Sequence, residues 1–351
     1  MASVTFSDPL LRFAFNTGVT SFVLALLLVF MLLAMRLRLR QNTRRRARFL
    51  SQWRPLLMQS LMEAPEALPP IAPADWHTFF AYWNHLHESL RGDVKDRLNH
   101  VARVVGADQE ARRMLKRHNM RDRLMATLTF GNLREAAAWR ELDACVTGEN
   151  SFLALTAMRA LIQIDAKAAI PLLLSQLNRR KDWSLAKIAS MLHDAGGDVF
   201  AEPLAEAALR APTNEAPRLI HLLASLNGTS ALPVVRQLLA ETSDEAVIAA
   251  CLPMVNGIAD LPVVRQHLSH PSGTVRAQAA LALGRIGVPG DETLLVALLG
   301  DSIWWVRYRA AQALVGLPFL DQPTLQHIQA AHADPFARDM LKQILAERAM
   351  A

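Results

Sequence analysis

Residues 273–287 read GTVRAQAALALGRIG, and residues 304–317 read WWVRYRAAQALVGL. Val275, Ala279, Leu283 and Ile286 fall at i, i+4, i+8 and i+11, and Val306, Ala310 and Leu314 repeat the first three of those positions 31 residues later. This is one apolar helical stripe made twice. Between the copies a turn leads into a second short helical segment, DETLLVALLGD, from Asp291 to Asp301. A lone helix pair of this kind cannot cover its stripe, so the period predicts stacked helix pairs, an all-α solenoid. Working back from this stretch, Pro171, Pro203, Pro233 and Pro262 recur at intervals of 32, 30 and 29 residues. Each is expected in the first turn of a second helix, where a missing N–H forfeits no hydrogen bond. The first-helix partners are read at Ser151–Ile164, Trp183–His193, Ala216–Leu226, Ala246–Ile258, Val275–Ile286 and Val306–Leu317. With a Met120–Val146 pair, about seven pairs are expected.

The wording VR-x-x-A-A-x-A-L-G resembles HEAT-like repeats. Val275, Arg276, Ala279, Ala280 and Leu283 carry the match in the first copy, and Val306, Arg307, Ala310, Ala311 and Leu314 in the second. The resemblance implies the fold and leaves the function open, because such repeats serve adaptors, lyase accessories and DNA-repair enzymes alike.

The chain has 351 residues, 52% of them apolar, with only 15 glycines, which excludes a disordered chain and favours helix throughout. Cys145 and Cys251 lie in helical segments without partners at metal-ligand spacing and read as small core residues. The net charge of +6 is local: residues 1–120 carry 17 Lys and Arg against 9 Asp and Glu, a balance of +8, and residues 121–351 carry 21 against 23, a balance of −2. Arg36, Arg38, Arg40, Arg44, Arg45, Arg46 and Arg48 account for nearly all of the excess.

That cluster follows Phe13–Met35, a run of 23 residues without a charge. At about 1.5 Å per residue it is long enough for a hydrocarbon core of about 30 Å and predicts one transmembrane helix, 13–35. A cleaved signal peptide would have a basic start and a small-residue exit, where this run exits into arginines. The positive-inside rule then places residues 1–12 outside the cytoplasm and the rest of the chain inside it. Residues 36–63 read as a basic juxtamembrane helix interrupted at Pro55, with Phe49, Leu50, Trp53, Leu56 and Leu57 against headgroups or a partner. Topology determination accounts for the arginines, and recognition of anionic lipid is the alternative. Residues 64–75, with four prolines, read as a stiff linker separating the anchor from the soluble part. Residues 76–119 read as N-terminal capping helices: Asp75 caps a helix starting at Trp76, Leu86, Leu90, Val94, Leu98 and Val101 form one stripe, and Trp76, Phe79, Phe80, Tyr82 and Trp83 form a capping core. Arg112, Arg113, Lys116, Arg117, Arg121 and Arg123 read as solvated helix faces, with an electrostatic contact to anionic lipid, nucleic acid or an acidic partner as the alternative. Residues 120–351 hold the repeats, closed by a final helix from Asp334 whose Arg338, Asp339, Lys342, Glu347 and Arg348 give the open end a polar face.

No catalytic constellation, cofactor motif or metal-ligand set is found. His77, His85 and His87 lack the i, i+4 spacing, and His267 and His270 lack a third ligand. The aromatic anomaly is at Trp304 and Trp305, in a turn where such repeats carry small polar residues, and Trp183 stands at a comparable turn upstream. Trp, Tyr and Arg dominate interface energetics, so Trp304, Trp305, Arg307, Tyr308, Arg309 and Trp183 are the candidate protein-binding residues. The structural alternative is that one tryptophan fills a gap between repeats and Arg307 satisfies turn carbonyls. The segments DWSLAKIASMLHDAGG and DSIWWVRYRAAQAL give the whole chain a resemblance to proteobacterial HEAT-repeat membrane proteins that accompany envelope glycosyltransferases. The resemblance implies a non-enzymatic scaffold in the inner membrane, without a cofactor, whose partner is an envelope polysaccharide-synthesis protein such as a glycosyltransferase. The alternatives are a module binding anionic lipid surfaces, and a HEAT-like nucleic-acid-binding or lyase-type accessory enzyme; the −2 balance of the repeats speaks against nucleic acid.

Overall fold

The computed structural model describes residues 9–63, 65, 67–90, 92–226 and 231–350. Among these there are 19 α-helices and no strand. Most of the expected outer segment 1–12, residues 1–8, lies outside the described residues, as do Ala64 and Glu66 of the expected linker. The chain divides after Glu135 into two compact units.

The N-terminal unit begins with α1, Pro9–Gln59, a single 51-residue helix. Its apolar stretch is exposed, and it is the one helix among the described residues long and apolar enough to cross a membrane. The juxtamembrane segment is not a separate helix, and Pro55 does not interrupt it. Phe49, Trp53 and Leu57 are not held for headgroups or a partner: they are buried, with Trp53 edge-on to Phe79 at 5.2 Å and stacked on Phe49 at 5.7 Å. Four-residue spacing puts these three on one face, while Pro55 points to solvent where its missing hydrogen bond is tolerated. Consequently residues 67–75 do not lead away from α1 as a spacer. They return the chain to α1, where Asp75 accepts from Arg45 Nε at 2.7 Å and Nη2 at 3.0 Å. With its carboxylate so engaged, Asp75 makes no side-chain cap to α2, Trp76–Ser89.

Four of the five predicted core aromatics, Trp76, Phe79, Phe80 and Trp83, are buried, with Trp83 Nε1 donating to Leu98 O at 3.1 Å, while Tyr82 is half-buried with the Arg54 guanidinium 5.4 Å from its ring centroid. The stripe from Leu86 to Val101 is split between α2 and α3, Val94–Val104, by Gly92 at φ +73, a conformation that side chains other than glycine rarely adopt. α4, Ala107–Leu115, and α5, Met120–Leu133, complete the unit. The repeat region was expected from residue 120, but α5 belongs to this first unit and packs on α4. Part of the basic stretch is neutralised internally: Arg113 and Arg117 both bind Glu110, and Arg117 also binds Asp122.

The C-terminal unit opens with α6, Trp139–Thr147, packed on α7, Ser151–Ile164. There follow α8 Ala166–Arg179, α9 Leu185–Asp194, α10 Asp198–Arg210, α11 Ala216–Ser225, α12 Leu232–Glu241, α13 Glu245–Cys251, α14 Leu261–His267, α15 Gly273–Ile286, α16 Glu292–Leu298, α17 Trp304–Gly316, α18 Gln322–Ala331 and α19 Pro335–Met350. α9, α11, α13, α15, α17 and α19 pack in succession as one layer, and α8, α10 and α12 as another, the arrangement of stacked helix pairs. Six pairs run from α7/α8 to α17/α18, with α6 leading and α19 trailing. Pro233 and Pro262 stand in the first turn as expected, but Pro171 and Pro203 are each the sixth residue of their helix. The helix ahead of Pro171 is started by Asp165, whose carboxylate accepts from Ala168 N at 3.0 Å, so α8 begins before the proline.

Two kinds of arginine contact hold successive pairs together. Arg236 forks onto Asp260 and Arg265 onto Asp291, second helix to second helix, each from the motif LPVVR. Arg285 Nη2 donates back to Pro253 O at 3.0 Å, and Arg348 donates to Val315 O. In both cases a residue late in one first-layer helix satisfies carbonyls left open at the end of the preceding one.

Candidate functional site

α17 is positioned by its turn. Asp301 Oδ1 accepts from Ile303 N at 2.8 Å, and the Arg307 Nη1 donates to Asp301 O at 2.8 Å. The same turn precedes α15, where Arg276 Nη1 donates to His270 O at 2.8 Å and His270 Nδ1 accepts from Ser272 N at 3.1 Å. Arg307 therefore closes the turn of the repeat, as the structural alternative has it. Burial alone would raise the Asp301 carboxyl, but the hydrogen bonds from Arg276 and Ile303 N hold it below the ordinary range.

Both tryptophans that follow the turn are in solvent, Trp304 at 51% and Trp305 at 44% exposure, so neither fills a gap between repeats. Tyr308 lies one turn further along the same face and stacks on both, at 5.3 Å from Trp304 and 5.4 Å from Trp305. The Arg309 guanidinium sits 4.4 Å from the Trp305 ring centroid, and its Nη1 donates to Gln312 Oε1 at 2.8 Å. Gln312 Nε2 in turn donates to the Tyr308 hydroxyl at 3.1 Å. A row of three aromatic rings is thus fixed by a polar network, with the two tryptophans exposed and Tyr308 half-buried beneath them. Such rigid amphipathic rings offer large contact area at small ordering cost.

The corresponding positions of α15, 31 residues earlier, are Gly273, Thr274 and Ala277, so the aromatic row is peculiar to α17. Sequence reasoning missed two neighbours. Ile303 is exposed beside the row, and Phe336, at 69% exposure, occupies on α19 the register position of Trp305. Its signal was the same 31-residue interval.

Trp183, by contrast, is 2% exposed, with the Arg180 guanidinium 6.0 Å from its ring centroid. It is a core residue of its turn, and its place among the binding candidates is withdrawn. The arginines expected beside a membrane, Arg36, Arg38, Arg40, Arg44, Arg45, Arg46 and Arg48, are all exposed along α1. Arg45 is bound to Asp75, and Arg44, Arg45 and Arg48 share a surface cavity of ≈ 480 Å³ with Gln41, Phe49, Gln52 and Asp75. His267 and His270 stack at 6.0 Å, and no group of three metal-binding side chains occurs among the described residues.

Residues 261–347 match a family model of HEAT repeats. No curated protein matches the chain. Among solved structures, the complex of CpcE and CpcF of phycocyanin lyase from Nostoc sp. is similar at 19% identity over 69% of this chain and 87% of that one, with a TM-score of 0.29. An engineered protein is similar at 17% identity over 84% of this chain and 88% of that one, with a TM-score of 0.32.

Proposed function

We propose that this protein is a non-enzymatic, membrane-anchored scaffold that binds a protein partner through the aromatic row Trp304, Trp305 and Tyr308, with Arg309 beside it. The observation that carries the reading is the exposure of two tryptophans, each stacked on the half-buried Tyr308, on a helix whose repeat neighbour has small residues there. The apolar half of α1 serves as a single span in the inner membrane, with the N-terminus outside and the repeats in the cytoplasm. Tethering raises the concentration of the repeats near other membrane proteins, so a modest affinity suffices. The resemblance to HEAT-repeat proteins that accompany envelope glycosyltransferases makes a polysaccharide-synthesis enzyme the partner class.

The test compares wild-type protein with Trp304→Ala/Trp305→Ala, each purified from its native membrane in mild detergent, with co-purifying proteins quantified by mass spectrometry. The expected result is one membrane enzyme recovered in stoichiometric amount with the wild type and reduced at least tenfold with the variant. Exposed substitutions of this kind leave stability within roughly 0.5 kcal/mol, so the variant keeps its melting temperature. Equal recovery of every protein by both would overturn the assignment.

A further inference from the structure

Six of the seven arginines after the apolar run fall into two structural groups, and Arg46 belongs to neither. Arg36, Arg38 and Arg40 flank the span, where charge alone sets orientation. Gln41, Arg44, Arg45, Arg48 and Gln52, at i, i+3, i+4, i+7 and i+11, share one face of α1 and wall the ≈ 480 Å³ cavity. Arg44 and Arg48 are like charges at i, i+4, an arrangement that costs a helix a few tenths of a kcal/mol. The one carboxylate in the wall, Asp75, is taken by both ends of the Arg45 fork. Arg44 and Arg48 have no acidic partner among the described residues. Orientation in a membrane requires neither the shared face nor the cavity.

We propose that this cavity is an anion site that takes a phosphoryl group, gripped by the Arg44 and Arg48 guanidiniums, with the Gln41 and Gln52 amides as neutral donors and the Arg45–Asp75 pair as a fixed wall. Guanidinium forks match phosphate oxygens in geometry and charge. The site has a defined height. Arg44 to Arg48 stand nine to thirteen residues beyond Met35, which is about 14–20 Å along the helix. The headgroup layer of one leaflet is roughly 5–8 Å deep. The phosphoryl group therefore belongs to a soluble molecule, or to a lipid whose phosphate projects well into the water.

The test uses the full chain in nanodiscs, with thermal unfolding as the readout. Inorganic pyrophosphate is titrated into discs of phosphatidylcholine, and separately phosphatidylinositol 4-phosphate, whose second phosphate stands beyond the inositol ring, replaces part of the lipid without pyrophosphate. A rise in Tm with pyrophosphate in neutral discs, weakened at least tenfold in apparent affinity by Arg44→Gln/Arg48→Gln, supports the site with a soluble ligand. A rise with the anionic lipid alone, lost in the same variant, supports the site with a lipid phosphate. Arg36→Gln/Arg38→Gln removes equal charge outside the cavity and is expected to bind as the wild type does. Equal weakening by both variants would reduce the effect to bulk charge and overturn the proposal, as would no response of the wild type to either probe.

Discussion

The Arg276 guanidinium reaches forward to Asp301, with Nε 2.7 Å from Oδ2 and Nη2 2.9 Å from Oδ1, while its Nη1 donates back to His270 O and Pro271 O. One side chain thereby joins the turn of its own repeat to the turn of the next. The two side chains are 14% and 7% exposed, so removing one strands the other away from water. Asp301→Ala is expected to cost about 3–5 kcal/mol. Asp75→Ala, which frees the half-exposed Arg45, is expected to cost less than about 1 kcal/mol. Thermal unfolding of the two full-length variants checks the ranking, and equal losses would contradict it.

One repeat later the same arginine lacks its carboxylate. Arg307 holds the register of Arg276, but His332 stands where Asp301 does, and the buried Arg307 Nε has no hydrogen-bond partner. His332 keeps only the local task, its Nδ1 accepting from Asp334 N at 3.1 Å as Asp301 Oδ1 accepts from Ile303 N. An aspartate performs both tasks. His332→Asp is expected to raise stability by about 1.5–3 kcal/mol, the gain from a hydrogen bond to a charged group. The gain should vanish in an Arg307→Ala background, and a gain that persists there would refute the ladder.

These particulars show what the sequence exposes and what it hides. The stripe of α15 and α17 was legible because its buried positions keep the same residue types at a fixed interval, and α7 and α15 end within two residues of their expected ends. α19 is a third copy that reads only as a closing helix: Ala337 and Leu341 replace Val306 and Ala310, exchanging small for large while remaining buried. Its charged face at Arg338, Asp339 and Lys342 is exposed as expected. The continuity of α1 was hidden because a proline marks a break only where its neighbours cannot tolerate a lost hydrogen bond. Tryptophan is ambiguous by nature, since its ring suits core and interface alike. Hence Trp304 and Trp305 proved exposed and Trp183 buried.

Gly284 of α15 lies directly against Ala313 of α17. A Cβ there would stand 2.7 Å from Ala313 Cα and 2.8 Å from Ala313 Cβ, and both obstacles are parts of a helix that cannot swing aside. Gly284→Ala removes a helix-weakening glycine, a gain of about 1 kcal/mol. Forcing two helices apart costs about 1–3 kcal/mol. The net effect is expected to be destabilising, read as a lower unfolding midpoint in urea, and a midpoint raised above wild type would show that the helices separate freely.

In the N-terminal unit His87 is buried in a polar chain, 2.6 Å from Asn99 Oδ1 through Nε2, with Asn99 Nδ2 donating to Asn132 O at 3.0 Å and Asn132 Nδ2 to Asn84 Oδ1 at 2.8 Å. Burial lowers its pKa to about 4, opposed by the Asn99 hydrogen bond and by Asp96, and assisted by Lys95 and Arg134. The folded imidazole is therefore neutral where the unfolded one, near 6.5, takes up a proton. Because the unfolded state binds more protons, stability falls as pH drops from about 6.5 to about 4 and the loss stops once the folded form also protonates. The full shift is worth about 3 kcal/mol. The wild-type Tm should decline through that window, whereas the His87→Gln Tm, lower at pH 7, should be flatter across it. Parallel profiles for the two proteins would show that another group titrates.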